Sequence, residues 1–117
     1  MRRLIVKPAA LAEARGALRT SRANFGSAAA RAYERLIRRA YRLLCTDARR
    51  PGVQQHEGML EGVFLFHLRH ARTRGAAPRQ PRHFIVFTYD DDTLTILRVL
   101  HDSMNIEQRS AHEKEEG

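Results

Sequence analysis

The chain has no tryptophan, a single cysteine and only two lysines, Lys7 and Lys114. One cysteine, Cys45, excludes an intrachain disulfide and fits a reducing compartment. No apolar run approaches the ~20 residues that a helix needs to cross a bilayer, so no membrane segment is expected. The apolar run after Arg2 and Arg3 is shorter than the ~7–15 residues of a signal-peptide core. The Arg/Ala/Ser-rich first half has the composition of a transit peptide, but its hydrophobic periodicity runs on into the domain and is read as folded. The expected location is therefore cytoplasmic. His, Cys and carboxylate side chains do not cluster at metal-ligand spacing, and no metal or cofactor is expected.

What the chain does have is charge, unevenly placed. Its 117 residues suffice for one domain with one core. Residues 1–82 carry 18 Lys and Arg against 5 Asp and Glu, a net of +13, and residues 83–117 carry 3 against 8, a net of −5. Such a field favours polyanions or acidic protein surfaces and speeds encounter with them. Arginine adds planar, bidentate recognition of phosphate and carboxylate, although an Arg-rich genome gives the same count.

The order of elements follows from periodicity. Arg3 to Lys7 alternates briefly, and Pro8 is suited to open a helix. Ala9 to about Thr20 reads as that helix, with Leu11, Ala14 and Leu18 on one stripe, and Asn24 to Ser27 as a turn. From about Ala28 to Thr46, Tyr33, Leu36, Ile37, Ala40, Leu43 and Leu44 recur at helical spacing. Arg31, Arg35, Arg38 and Arg42 fall on a separate face, where Glu34 is placed to pair with Arg38. Arg49-Arg50-Pro51-Gly52 stops this helix. Val53 to Gly62 reads as a loop, Gly62 to His70 as a strand, and Ala71 to Arg82 as a flexible basic linker.

Residues 81–106 are the most informative. His83 to Tyr89 and Thr93 to His101 read as strands joined by an acidic turn, Asp90 to Asp92. Leu94, Ile96 and Leu100 are expected opposite Thr95, Leu97 and Val99, so both faces are apolar and the strands lie inside a sheet. Arg98 interrupts the Leu94 face and needs an acceptor, since an unpaired buried charge costs several kcal/mol. The fold class expected is α+β in the order β-α-α-β-β-β, a helical hairpin on one face of a small, largely antiparallel sheet. One domain spans 1–109; 101–109 is short helix or irregular chain, and 110–117 a charged, disordered tail.

The hairpin, and the segment Leu94 to His101 (L-T-I-L-R-V-L-H) above all, resembles the RelE/ParE superfamily of bacterial type II toxin–antitoxin toxins, whose last strand commonly reads I-x-I-x-R-V-L-H. The superfamily's fold is the same in outline. The sequence departs from it in the long basic segment Ala71 to Arg82, and after the last strand in Asp102 and Asn105.

The resemblance implies a toxin, with a role such as plasmid stabilisation, held by a cognate antitoxin that is acidic and partly disordered. Three functions stay open. One is a ParE-like poison that traps DNA gyrase on cleaved DNA, with no catalytic residues of its own. Another is a RelE-like, ribosome-dependent mRNA endonuclease, for which His101, Arg98, Arg82 and Arg69 are the candidates. The third is a decayed, non-toxic binding module of the same fold. RNA cleavage needs a base, an acid and cations on the phosphate. The resemblance implies that the superfamily's nucleases supply them with Lys, Arg, His and Glu on the central strands and a Tyr or His near the C-terminus. Here no Tyr follows Tyr89 and no sheet Lys follows Lys7. The nuclease set is incomplete, which favours the gyrase reading.

Target contact is expected from His101, Asp102 and Met104 at the end of the last strand, with Arg79 and Arg82. Antitoxin contact is expected from Arg31, Arg35, Arg38, Arg42 and Arg98. Each has a plainer reading: a wet helix face for the arginine stripe, a polar strand end for His101, a solvated turn for Asp90 to Asp92, and core for Cys45. His67 and His70 on one strand point to opposite faces and share no metal.

Overall fold

The computed structural model describes residues 1–55 and 58–104. Strand β1 (Arg3–Val6) leads into helix α1 (Pro8–Phe25), then α2 (Ser27–Thr46), β2 (Val53–Gln54), β3 (Phe64–His67), a single 3-10 turn (Leu68–Ala71), β4 (His83–Tyr89) and β5 (Thr93–His101). The sheet runs β1-β5-β4-β3-β2, with β1 parallel to β5 and the other pairs antiparallel. The expected α+β architecture, a helical hairpin over a mostly antiparallel sheet, is the observed one. The segments beyond residue 104, read above as short helix and tail, lie outside the described residues.

Helix α1 is longer than expected. It continues to Phe25, and the turn contracts to Gly26, whose φ of 93° closes one helix and starts the next. A side chain at that φ is strained, which is why glycine stands there. Helix α2 follows its stripe: Leu36, Ile37, Ala40 and Leu44 are buried, Tyr33 and Leu43 pack beside them, and Arg31, Arg35, Arg38 and Arg42 are exposed. Arg38 pairs with Glu34 at 2.9 Å. On α1 the stripe is only partly covered, since Leu11 remains 43% exposed.

Three readings of the middle of the chain change. Val53 and Gln54, taken for loop, form a short strand on Phe66 and Leu65. The strand read to His70 ends at His67, where the backbone turns into the 3-10 helix. His70 then packs at a tilt against Phe66 and over Gly52, where a Cβ would come within 2.6 Å of its ring. The linker 71–82 is a closed loop rather than a loose one. Arg39 Nε donates to the Ala71 carbonyl, Arg72 donates to the carbonyls of Pro78 and Ala76, and Pro81 is buried.

The alternation expected along β5 holds only for its first half. Phe87 pairs with Ile96 but Val86 pairs with Arg98, so Leu97 is an extra residue, a β-bulge. The insertion swaps faces: Leu94, Ile96 and Val99 join the core under the helices, while Leu97 and Leu100 join Val63, Leu65 and Val86 on the far side. Met59, Leu60 and Phe84 pack against that second cluster. Both faces of the central strands are thus buried, as their composition predicts, at about 1.5–3 kcal/mol per large apolar side chain.

Candidate functional site

The register brings the end of β3, the start of β4 and the end of β5 together, setting His67 opposite Phe84 and His83 opposite His101. Arg82 and Asp102, flanking these strands, meet across the gap: Nε lies 3.0 and 3.1 Å from the two carboxylate oxygens, and the Asp102 N–H donates to the Arg82 carbonyl at 2.8 Å. His67 completes the clasp. Its Nδ1 accepts the Arg69 N–H at 3.1 Å, which leaves the proton on Nε2 to be donated to Asp102 at 3.1 Å. The Arg82 guanidinium holds the Asp102 carboxyl below the usual carboxylate range, while burial lowers the pKa of His67 and keeps it neutral.

Tyr33 on α2 ties the helices to the same corner. Its hydroxyl accepts the Arg82 N–H at 3.0 Å and lies 2.6 Å from His83 Nδ1. With the oxygen already accepting, the hydroxyl proton is best placed on His83 Nδ1. Burial, reinforced by His101, brings the pKa of His83 down to about 4. His101 crosses the His83 ring edge-on at 5.3 Å and takes the Ser103 hydroxyl and N–H on its Nδ1, at 2.7 and 3.2 Å. Its distance to the neighbouring Asp102 carboxylate is 3.7 Å.

The corner therefore unites His101, Asp102 and Arg82 from the expected target-binding set. Met104 lies just past it, 41% exposed. Arg79 is exposed on the 72–82 loop. Tyr33, His67 and His83 were not foreseen as members. Their positions 33, 67 and 83 are far apart in sequence, and only the α2 packing and strand register join them.

Of the four nuclease candidates, Arg98 lies apart. It forms a two-pronged pair with Glu13 of α1, Nε–Oε1 2.9 Å and NH2–Oε2 2.6 Å, and Oε1 also accepts the Val99 N–H at 3.0 Å. Here β1 has ended, its last pair being Val6 with Ile96, so the edge of β5 is open and Glu13 caps it. Arg69 is exposed on the 3-10 turn. Among the described residues no group of three or more His, Cys, Asp or Glu side chains is arranged to hold a metal ion.

A second feature shares no residue with this corner. Between β1, α1 and α2 runs a groove of about 780 Å³ floored by Leu4, Val6, Leu11, Ala14, Leu18 and Ile37. Arg15, Arg38 and Arg42 line its margins. Of the expected antitoxin-binding residues, Arg38 and Arg42 border this groove. Arg35 and Arg42 also line a smaller hollow against the 72–77 loop. Arg31 is exposed near the start of α2, and Arg98 is engaged with Glu13. No helix among the described residues is long and apolar enough to cross a membrane.

The fold and site define a small α+β protein: a two-helix hairpin on a sheet whose last strand ends in a His-Asp corner, with a separate apolar groove bordered by arginines. Residues 4–106 match the model of the ParE toxin of the type II toxin–antitoxin system parDE, and the chain belongs to that family. It is a toxin of the type II toxin–antitoxin class, and a cognate antitoxin is its implied partner. No curated protein matches the chain.

Proposed function

We propose that this toxin acts by trapping DNA gyrase on cleaved DNA, and that its antitoxin silences it from the groove between β1, α1 and α2. The observation that carries the first part is the Arg98–Glu13 pair. It withdraws one of the three candidate nuclease arginines to α1, away from the corner at the end of β5. A phosphoryl-transfer site needs cations aimed at the reacting phosphate, and Arg98 is aimed at a carboxylate of the chain itself. Target contact falls to the corner at the end of β5, where His101 is the last paired residue and Asp102 and Met104 follow it outside the ladder.

The groove suits an acidic, amphipathic segment that folds on contact, its apolar side on Leu4 and Leu11 and its carboxylates on Arg38 and Arg42. The test is a purified assay. Supercoiling should stop and cleaved DNA accumulate, while mRNA on ribosomes stays intact, and the inhibition should weaken with salt. Cleaved mRNA with unaffected gyrase overturns the reading in favour of the nuclease, with His101 as its first candidate acid or base.

A further inference from the structure

Beside the His-Asp corner, between the C-terminal half of α1, the start of α2 and residues 77–83, lies a cavity of about 650 Å³. That is within the range of small-molecule and cofactor sites, roughly 300–1,000 Å³. Small side chains make the room: Gly16, Ala17, Ala29, Ala32 and Ala77 all border it. Phe25, the last residue of α1, lines it and is 77% exposed. The polar wall is Tyr33, Arg82, His83 and His101.

The hydrogen bonds fix what this wall offers. His83 Nδ1 is taken by the Tyr33 hydroxyl and His101 Nδ1 by Ser103, so each ring carries its proton on Nε2. Neither Nε2–H has a hydrogen-bond partner among the described residues. Arg82 is 59% exposed at its side chain and spends only part of its fork of donors on Asp102. Asp102 does not leave a bare negative charge here, since Arg82 and His67 both occupy its oxygens. The wall is thus rich in donors, with an exposed aromatic face and apolar sides. The surroundings are cationic, with Arg72, Arg74 and Arg79 on the neighbouring loop and Arg19 and Arg22 on the exposed side of α1.

We propose that this cavity binds an unpaired nucleotide of a nucleic acid, its base against Phe25 and its phosphate on Arg82, His83 and His101. Stacking of a base on an exposed aromatic beside a cationic path is the general mode for single strands, whereas a duplex keeps its bases stacked on one another and offers Phe25 nothing. A purely electrostatic contact makes no such distinction. The inference deepens the functional reading above and rests on it, because it assigns to the target-facing corner the nucleic-acid part of the complex. Deoxyribose and ribose strands share this chemistry, so both belong in the test.

The experiment uses the full chain and short fluorescent oligonucleotides: single-stranded DNA, single-stranded RNA of the same sequence, and blunt duplex DNA, followed by anisotropy at fixed salt. The single strand should bind at least ~10-fold more tightly than the duplex, and Phe25→Ala should remove roughly a factor of 10, the scale of one lost stack. His101→Gln should weaken single-strand binding as well, with helix and sheet content unchanged by circular dichroism. A stronger DNA than RNA arm fits the gyrase reading, and the reverse counts against it. Equal affinity for strand and duplex, Phe25→Ala binding like the parent, or no binding at all overturns the cavity assignment. Gyrase cleavage run on the same proteins separates the two ideas: cleaved DNA without single-strand binding discards the cavity alone, and single-strand binding without gyrase inhibition discards the target alone.

Discussion

The guanidinium of Arg98 and the carboxylate of Glu13, 85 positions apart in sequence, form a two-pronged ion pair that locks α1 onto the bulged half of β5. Both side chains are largely sheltered, at 14% and 22% exposure. Removing one partner of such a pair strands the other.

Arg98→Ala and Glu13→Ala should each cost about 2 kcal/mol or more of unfolding free energy in urea titrations. Glu13→Gln should cost less than Glu13→Ala, because an amide oxygen still accepts the Val99 N–H. A Glu13→Ala protein as stable as the parent would remove this pair from the account of the fold.

Asp102 should matter for stability as well as for any target. Asp102→Ala, or a chain ended after Leu100, leaves the His67 Nε2–H without its acceptor inside a side chain only 3% exposed. The expected loss is about 1–3 kcal/mol. A chain ended after Met104 keeps the clasp and should melt above the chain ended after Leu100. Equal melting of Asp102→Ala and the parent, and of the two truncated chains, would deny the clasp a structural role.

Acid should unfold the protein through its histidines. In the folded chain His83 has a pKa of about 4, and His67 and His70 are also lowered by burial. In the unfolded chain these groups take up protons below their ordinary value near 6.5. The unfolded state therefore binds more protons in this window, and stability falls as pH drops from about 6.5 towards 4. Denaturation midpoints measured between pH 7 and 4.5 should decline, and His83→Gln should flatten part of the slope. A flat profile in the parent would contradict the shelter of His67 and His83.

The groove between β1, α1 and α2 should be separable from the target corner. Leu11→Glu places a charge at an exposed apolar position of its floor, and should weaken antitoxin binding at least ~10-fold, about 1.4 kcal/mol. Arg38→Glu with Arg42→Glu should act in the same direction and reduce the salt dependence of association. Calorimetry with the co-encoded antitoxin measures both, and cells carrying the variants should escape neutralisation while remaining poisoned. Unchanged affinity in both would place the antitoxin elsewhere.

The sequence by itself determined the elements whose signal is local. Helix α2 was legible because its apolar and arginine positions each repeat at the helical period, and the β4–β5 hairpin because both strands carry apolar residues around an acidic turn. Asp90 behaves as that turn required, its carboxylate accepting the N–H groups of Asp92 and Thr93. The need of Arg98 for an acceptor was also written in the chain, since a charge among Leu97, Val99 and Leu100 has no other way to be buried.

Tertiary structure alone decided the rest. A one-residue bulge leaves each half of β5 alternating normally, so the exchange of faces at Leu97 is invisible until β4 fixes the register. The two residues of β2 are too few for any period, and become a strand only because β3 offers an unpaired edge. Which carboxylate would meet Arg98, and which histidine would meet Asp102, depended on where β1 stops and where β3 turns. Hydrogen bonds between distant residues leave no local pattern, because their geometry is set by packing that closes long loops. The corner of Tyr33, His67, Arg82, His83 and Asp102 exists only in three dimensions.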